Sequence, residues 1–201
     1  MIDEAEAFIL AGGGGTRMGG SKALLKVGGV EMLRRVASVL QEVFVRVCIV
    51  SDHSAEALPL GLCIVPDRHK GCGPLGGLQA ALAAAARPQA FITPCDLPFL
   101  SSQLIMHLWE RHAGRMVTIP SCRGRRHPLP GFYGAAALPI VEEQLAMQAL
   151  AMHGLLRRTD VQTIPIGPSL SFYHPHLLLN VNTPEDLHLA EKIERARIKL
   201  D

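Results

Sequence analysis

Short apolar runs alternate along the first half of the chain with segments in which apolar residues recur every three or four positions. The short runs are typical of buried strands, and the second pattern is typical of amphipathic helices. The predicted strands are 7–10, 44–50, 62–65 and 90–93, and the predicted helices are 31–42, 75–86 and 101–112. Uniformly apolar strands that alternate with helices predict an α/β fold, with a mostly parallel sheet and helices on both faces.

The second half of the chain is less regular. Strands are predicted at 116–120, 129–133 and 161–164, and residues 135–158 are predicted to be mostly helical with a break near Met147 or Gly154. A last helix is expected to begin after Thr183, with proline in its first turn and an acid three residues on, and to end near Arg197. The chain has 201 residues, and we expect residues 1–201 to form a single domain.

A polar segment follows three of the predicted strands. These segments are 11–22 after the first strand, 66–74 after the strand at 62–65, and 94–98 after the strand at 90–93. In open sheets of this kind, ligands bind beyond the carboxyl ends of the strands. We therefore expect the three polar segments to meet at one edge of the sheet.

The first of these segments combines a glycine run with two cations, Arg17 and Lys22. Glycines allow backbone N–H groups to approach an anion closely, and the cations supply the charge that a polyphosphate requires. The order differs from a P-loop, because Ser21 precedes Lys22, and a dinucleotide fingerprint would need glycine where Arg17 or Met18 stands. The segment predicts a binding loop for a triphosphate.

Composition favours small-molecule chemistry. The net charge is +2 and only 4% of the residues are aromatic, which disfavours nucleic acid and anionic membranes as partners. Five cysteines without a C-x-x-C pair favour a reduced protein without structural zinc. The first six residues are acidic rather than basic, and no apolar run approaches the ~20 residues that span a bilayer, so we expect a cytoplasmic protein.

Asp96 is the best candidate for a metal ligand. It follows a predicted buried strand and lies between Pro94 and Pro98, which restrict the backbone on both sides. Mg²⁺ commonly takes only one or two protein carboxylates, because nucleotide phosphates and water fill its other positions. The alternative is an aspartate that caps a turn.

A second glycine pattern supports a different class of function. Gly71, Gly73 and Gly76 form a G-x-G-x-x-G, and Asp96 lies 20 residues after Gly76, where a dinucleotide fold places its ribose-binding acid. Against this interpretation, Pro74 interrupts the turn and the pattern begins well after its strand. An NAD-dependent oxidoreductase and a catalytically silent nucleotide-binding module are therefore alternatives.

Four segments in this order match a known family. They are Leu10-Ala11-Gly12-Gly13 with Arg17-Met18-Gly19 and Lys22, Gly73-Pro74-Leu75 with Gly77, Pro94-Cys95-Asp96-Leu97-Pro98, and Asn180-Val181-Asn182-Thr183-Pro184-Glu185-Asp186-Leu187. Over essentially its whole length, the chain resembles the molybdenum cofactor guanylyltransferases of the nucleotidyltransferase superfamily. The resemblance implies a three-layer Rossmann-like fold similar to that of nucleotide-diphospho-sugar transferases.

The resemblance implies transfer of GMP from GTP to the terminal phosphate of molybdopterin, with release of pyrophosphate. A phosphate monoester is already an anion, so positioning and charge neutralisation suffice for catalysis without a base. GTP and molybdopterin are the implied substrates, Mg²⁺ the implied cofactor, and molybdoenzymes or insertion factors the implied transient partners. A cytidylyltransferase acting on the same pterin is the nearest alternative. Ala11-Gly12-Gly13 is similar to the guanine-type loop, whereas the cytidine enzymes tend to carry alanine where this chain has Gly12.

The resemblance also implies roles for individual residues. The catalytic residues are Arg17, Lys22 and Asp96, of which Asp96 holds the metal. The nucleotide-binding residues are Leu10, Ala11, Gly12, Gly13, Lys22, Asp67, Gly73, Pro74, Leu75 and Asp96, and the molybdopterin-binding residues are Arg17, Asn180 and Asn182. An acid at Asp67 can accept hydrogen bonds from the guanine N1–H and amino group.

Asn180 and Asn182 alternate along a predicted strand end. One of them is then expected to face the metal and phosphates while the other orders the loop. The alternative is an Asx turn ahead of the last helix.

Some positions depart from the family pattern or stay open. Gly15 replaces a small hydroxyl residue and Ser21 replaces an acid. The nucleotide contact after the second strand falls on Ser51, Asp52 or His53.

Two basic segments also have open roles. For the basic cluster 123–127 a solvated turn between strands is favoured, and a site that attracts the pterin phosphate or an acidic partner is the alternative. His174 and His176 have a spacing that a metal could use, but with no third ligand nearby a polar loop is favoured.

Overall fold

The structure of the protein is a computed structural model that describes residues 1–12, 22–52 and 60–198. Within these residues, an eight-stranded sheet has the order β10-β7-β9-β6-β1-β4-β5, with β8 paired to β7. Its strands are β1 (Ala5–Leu10), β4 (Val47–Val50), β5 (Cys63–Val65), β6 (Gln89–Pro94), β7 (Val117–Cys122), β8 (Arg125–Arg126), β9 (Gly131–Gly134) and β10 (Val161–Ile166). A separate antiparallel pair consists of β2 (Lys26–Val27) and β3 (Val30–Glu31).

Six α-helices accompany the strands in the described part of the chain. They are α1 (Met32–Val43), α2 (Gly73–Ala84), α3 (Ser102–Glu110), α4 (Leu138–Ala146), α5 (Met152–Arg158) and α6 (Pro184–Ile198). None of the helices in the described residues is long and apolar enough to cross a bilayer.

The centre of the sheet is parallel and its far side is mixed. β1 pairs in parallel with β4 and β6, and β4 pairs in parallel with β5. β9 runs antiparallel to both β6 and β7, so β6 and β7 point in the same direction with β9 between them. The carboxyl ends of β1, β6 and β7 therefore lie at the same edge of the sheet.

All six residues of strand β1 are buried, and alternate residues point to opposite faces of the sheet. Both faces of the sheet are therefore covered by helices. Ile9 belongs to an apolar cluster with Leu40 of α1 and residues of α3. Phe8 belongs to a second cluster with Leu78 of α2 and residues of α4 and α5. The predicted three-layer α/β fold is confirmed.

The predicted break in the helical stretch 135–158 is confirmed at Met147, because α4 ends at Ala146, whereas Gly154 lies inside α5. The predicted strand end at Asn180 and Asn182 is wrong, because residues 177–182 belong to turns and irregular backbone. Their apolar side chains are buried without strand pairing: Leu177 in the first cluster and Val181 in a third one with Phe99 and Ala190.

Helix α6 is fixed against the β2–β3 hairpin. The Gly28 N–H donates to Glu191 Oε1 at 3.0 Å, and the Arg35 guanidinium pairs with Glu194. Arg35 also donates to the Val27 carbonyl at 2.8 Å. These contacts fix α6 to the hairpin, and a hydrogen bond of 2.9 Å from Val181 N to Asp96 O places the segment that precedes α6 beside the carboxyl end of β6.

Candidate active site

A cavity of about 900 Å³ lies at the carboxyl edge of the sheet. Backbone hydrogen bonds bring the loops together there: Cys95 N donates to Leu10 O at 3.2 Å, and Ala11 N donates to Val50 O at 3.0 Å. Ser51 N donates to Val65 O at 3.0 Å, which joins the next strand pair. The three polar segments therefore meet at one edge, as predicted, as far as the described residues show.

Most of the predicted site residues line this cavity. Those that do are Leu10, Ala11, Gly12, Lys22, Asp67, Gly73, Pro74, Asp96, Asn180 and Asn182. Leu75 does not, because its side chain is fully buried in the core beneath α2. Gly13 and Arg17 lie outside the described residues, as do Gly15, Ser21 and His53.

Asp96 and Lys22 form a charged pair in this cavity. Lys22 Nζ lies 3.6 Å from Asp96 Oδ2 and donates a hydrogen bond of 2.6 Å to Asn182 Oδ1. Asp96 is only 8% exposed, and this burial raises the pKa of its carboxyl, while the Lys22 ammonium acts in the opposite direction. The lysine thus joins the end of β6 to the segment before α6.

The donor set suits Mg²⁺ held together with a polyphosphate. Asp96 Oδ1 is buried and has no hydrogen-bond partner among the described residues, so this oxygen is available as a ligand. The described part of the chain contains no group of three or more His, Cys, Asp or Glu side chains that could hold a metal. Phosphates and water would have to supply most of the coordination, as is usual for Mg²⁺.

The segment 180–186 is ordered by its own capping interactions. Asp186 Oδ2 accepts from the N–H groups of Asn182 at 3.0 Å and Thr183 at 2.9 Å, and Thr183 Oγ1 accepts from Asp186 N at 3.2 Å. This reciprocal cap starts α6 at Pro184, as predicted, and its N–H donors lower the pKa of Asp186. Val181 N also donates to the Asp96 carbonyl at 2.9 Å. The backbone N–H of Asn182 therefore takes part in the cap, while its side-chain oxygen accepts from Lys22.

Asp67 lies on the other side of the cavity, in the loop between β5 and α2. Its Oδ1 accepts from His69 N at 2.9 Å, and its Oδ2 would lie 3.7 Å from a Cβ placed on Gly12. Burial raises the pKa of Asp67, while the hydrogen bond from His69 has the opposite effect. The carboxylate is thus held beside the backbone that follows β1.

Comparison with known proteins identifies the family. Residues 7–162 match the model of the MobA-like NTP transferase domain. A probable molybdenum cofactor guanylyltransferase from Pelotomaculum thermopropionicum is 37% identical over 191 residues, which are 92% of this chain and 90% of the relative. The chain belongs to the molybdenum cofactor guanylyltransferase family.

Further relatives agree with this assignment. A probable molybdenum cofactor guanylyltransferase from Carboxydothermus hydrogenoformans is 32% identical, over 92% of this chain and 94% of the relative. The crystal structure of molybdopterin-guanine dinucleotide biosynthesis protein A from Archaeoglobus fulgidus has a TM-score of 0.82 with 25% identity, and covers 95% of this chain and 99% of that chain. This family member is therefore similar to its relatives in both sequence and fold.

The strand order of this guanylyltransferase family member argues against the alternative of an NAD-dependent oxidoreductase. In a dinucleotide-binding fold the glycine loop and the ribose-binding acid follow neighbouring strands. Here the loop with Gly71, Gly73 and Gly76 follows β5 at the edge of the sheet, whereas Asp96 follows β6, with β1 and β4 in between. Asp96 is also paired with Lys22.

Several residues that line the cavity were not predicted as site residues. They are Arg125, Arg126, His127, Met152, His153 and Asp186. The turn at 123–127 was favoured as merely solvated, but β8 places Arg125 and Arg126 at the cavity. The sequence alone does not give this position, because it depends on β7 pointing the same way as β6 with β9 between them. The open position after the second strand stays unassigned: Asp52 forms an ion pair with Lys70 at 3.8 Å.

Proposed function

We propose that this protein transfers GMP from GTP to the terminal phosphate of molybdopterin. An oxygen of the acceptor phosphate attacks the α-phosphorus of GTP, the bond between the α-phosphorus and its bridging oxygen to the β-phosphate breaks, and pyrophosphate leaves. The observation on which this proposal rests is the pairing of Lys22 and Asp96 at the carboxyl edge of the sheet, beside Asn182. Membership of the guanylyltransferase family supports the same reaction.

The nucleotide is proposed to occupy the half of the cavity formed by β1 and the start of α2. Leu10, Ala11 and Gly12 would line the base and ribose, together with Gly73 and Pro74. The Asp67 carboxylate would accept from the N1–H and amino group of guanine, a pair of donors that cytosine does not present. Gly13 and Arg17 are proposed to contact the nucleotide and the phosphates from outside the described residues, and Leu75 would support this half by packing.

The charged residues would bind the reacting phosphates. Lys22 is proposed to hold phosphate oxygens and to neutralise the charge that moves to the leaving pyrophosphate. Asn182 accepts a hydrogen bond from the ammonium group, and Asn180 also lines the cavity. Arg17, Asn180 and Asn182 are proposed to meet the molybdopterin phosphate.

Asp96 is proposed to hold Mg²⁺ through its unpartnered Oδ1. When bound, the ion would neutralise charge on the α-phosphate and make the phosphorus more electrophilic. The carboxylate of Asp96 is kept in place for this task by the backbone bond between its carbonyl and Val181 N.

We also propose that residues 1–201 form one nucleotidyltransferase domain that acts in the cytoplasm. The single domain is supported by the two large apolar clusters, because they pack on opposite faces of the same sheet. The product would pass to molybdoenzymes or insertion factors through transient contact.

A labelled-nucleotide assay tests the proposed reaction. The protein is incubated with molybdopterin, Mg²⁺ and either α-labelled GTP or α-labelled CTP, and label in the pterin product and release of pyrophosphate are measured. We expect GMP to be incorporated. Incorporation of CMP alone would defeat the guanine assignment, and binding of GTP without any product would support the silent module instead.

A further inference from the structure

Two arginines in the cavity wall have no counter-charge among the described residues. Arg125 and Arg126 line the cavity of about 900 Å³, and neither side chain forms an ion pair or a hydrogen bond within the described part of the chain. By contrast, Lys22 in the same cavity is paired with Asp96 and Asn182. A guanidinium presents a planar set of donors that matches a phosphate, so unpaired arginines at a cavity favour a phosphate ligand.

The β7–β8 hairpin determines where these arginines stand. Arg123 and Gly124 have φ angles of 51° and 73°, as a two-residue turn with both central residues in the left-handed region requires. The turn pairs Cys122 with Arg125 and Ser121 with Arg126, at the carboxyl end of β7. Because β7 lies two strands from β6, this end is about 10 Å from the end that bears Asp96.

A second cavity adjoins the first at Arg125. Its volume is about 360 Å³, and it shares Arg125, His127, Leu178 and Leu179 with the larger cavity. Half-buried rings of Tyr173, His174 and His176 form much of its remaining wall. Its volume is sufficient for a small heterocyclic ligand.

The histidines of this wall suit a neutral, planar ligand with hydrogen-bonding edges. His174 Nδ1 accepts from the backbone N–H of His176 at 3.2 Å, which leaves Nε2 of His174 as a donor. Burial lowers the pKa of His174, and His176 and Arg197 act in the same direction, so the ring is neutral at neutral pH. The rings of His174 and His176 are 5.4 Å apart, at an angle of 51°.

We propose that this second cavity is the acceptor subsite: Arg125 binds the acceptor's phosphate where the two cavities adjoin, and Tyr173, His174 and His176 hold its planar heterocycle. The proposal rests on the proposed function, because it requires an acceptor that is a phosphate monoester of a heterocycle. It assigns the acceptor to a region beyond Asn180 and Asn182. The nucleotide and the acceptor phosphate then approach Asp96 and Lys22 from opposite sides.

Binding measurements on four variants test this subsite. The variants are Arg125→Ala, Arg125→Lys, His176→Ala and, as a matched control, Arg115→Ala. Arg115 is also an exposed arginine, but it pairs with Asp160 at the amino end of β7, on the opposite edge of the sheet. Equilibrium dissociation constants are measured for molybdopterin without nucleotide and for GTP without acceptor, together with the KM for each substrate.

We expect Arg125→Ala to weaken molybdopterin binding at least tenfold and His176→Ala to weaken it at least threefold. The GTP dissociation constant should stay within twofold in both, Arg125→Lys should recover part of the loss, and Arg115→Ala should behave as wild type. Circular dichroism and thermal unfolding establish that the variants are folded.

Three outcomes would overturn the subsite. Unchanged molybdopterin binding in Arg125→Ala and His176→Ala, while the wild type binds and uses molybdopterin, would refute the subsite and leave the proposed function standing. If Arg125→Ala weakened GTP binding as much as molybdopterin binding, Arg125 would be assigned to the nucleotide site instead. A wild-type protein that binds GTP but no molybdopterin would refute both the proposed function and the subsite.

Discussion

Asp96 combines burial with a negative charge, and these two properties oppose each other in the folded protein. Burial raises the pKa of its carboxyl, so the folded state binds a proton more tightly than the unfolded state does. At neutral pH the ionised carboxylate therefore reduces stability. Lys22, at 3.6 Å, offsets only part of this cost.

We predict that Asp96→Asn raises stability at pH 7 and lowers activity. Asparagine keeps the shape of the side chain and removes its charge. We therefore expect the free energy of unfolding to rise by about 1 kcal/mol and the Tm by about 2–4 °C. The proposed loss of a metal ligand should lower kcat/KM at least ~100-fold. Thermal unfolding and the labelled-nucleotide assay measure the two effects.

The pH dependence and a control separate this mechanism from a general surface-charge effect. The stability gain should narrow as the pH falls through the raised pKa of Asp96, because the wild-type carboxyl is then also neutral. Asp160→Asn removes an exposed carboxylate that pairs with Arg115, so it should leave kcat/KM unchanged. An Asp96→Asn protein with wild-type turnover would contradict the proposed metal ligand.

At the scale of elements, the start of α6 both stabilises a helix and orients the site. Asp186 accepts two N–H groups, and one of them belongs to Asn182, whose side chain accepts from Lys22. We predict that Asp186→Ala lowers the free energy of unfolding by about 1 kcal/mol, the usual value of a lost cap. Because Asn182 would lose its fixed position, kcat/KM should fall about tenfold.

Acid titration provides an independent check on this cap. The pKa of Asp186 is lowered by its N–H donors, so its contribution to stability is complete above about pH 4 and is lost as the pH falls through the folded-state pKa. The difference in unfolding free energy between wild type and Asp186→Ala should therefore shrink in acid. Glu185→Ala removes the neighbouring acid of the first turn, which makes no hydrogen bond within the described residues, so it should lower the free energy of unfolding by only about 0.3 kcal/mol and leave activity unchanged.

Helix α2 approaches the sheet and its preceding loop through two adjacent glycines. A Cβ on Gly76 would lie 2.8 Å from the backbone oxygen of His69, whereas a Cβ on Gly77 would lie 3.0 Å from a methyl group of Leu10. A backbone atom cannot move aside as a leucine methyl can. We predict that Gly76→Ala destabilises the protein by about 1–3 kcal/mol and raises the KM for GTP, because the same loop bears Asp67.

Gly77→Ala is the matched comparison. The Leu10 side chain can adjust, and alanine gains about 0.5–1 kcal/mol over glycine inside a helix, so its net effect should stay within about 1 kcal/mol. Denaturant unfolding measures both variants. Equal destabilisation by Gly76→Ala and Gly77→Ala would show that the contact with His69 does not limit the helix position.

Local sequence signals predicted elements whose determinants are local. The apolar period of α1 and the Thr183 cap of α6 suffice to place those helices. The direction of β9 depends on partners distant in sequence, so its antiparallel insertion was not predicted in that form. The strand end predicted at Asn180 and Asn182 is wrong, because the neighbouring apolar residues Leu177 and Val181 are buried in separate clusters rather than in a sheet.

The residues of the cavity also divide into those that local motifs predict and those that depend on the topology of the sheet. Asp96, Lys22 and Asn182 belong to motifs that the sequence displays, and the structure places them together. Leu75 lies within such a motif but faces the core, since motif membership does not determine the direction of a side chain on α2. Arg125 reaches the cavity only because β9 separates β6 from β7 and leaves their carboxyl ends at one edge.

At the scale of the whole molecule, the order of strands divides the cavity between two parts of the chain. β1, β4 and β5 border the proposed nucleotide half, and β7 with β8 borders the proposed acceptor half, with Asp96 at the end of β6 between them. A nucleotide in the first half would connect the loop after β1, the start of α2 and the end of β6. Binding should therefore stabilise the folded molecule as a unit.

We predict that GTP with Mg²⁺ raises the Tm of the wild-type protein. At a concentration 100 times the Kd, binding to the folded state alone contributes about 2.7 kcal/mol, which corresponds to roughly 5–10 °C for a chain of this size. Chelation of Mg²⁺ should remove most of this shift, because the phosphates would then face Asp96 without a bridging cation, and NAD should give no shift. Differential scanning fluorimetry with GTP, CTP and NAD, each with and without chelator, measures this. A shift with NAD that persists without metal would contradict the nucleotidyltransferase assignment of the cavity, and a GTP shift that is the same in Asp96→Asn would remove Asp96 from the proposed metal site.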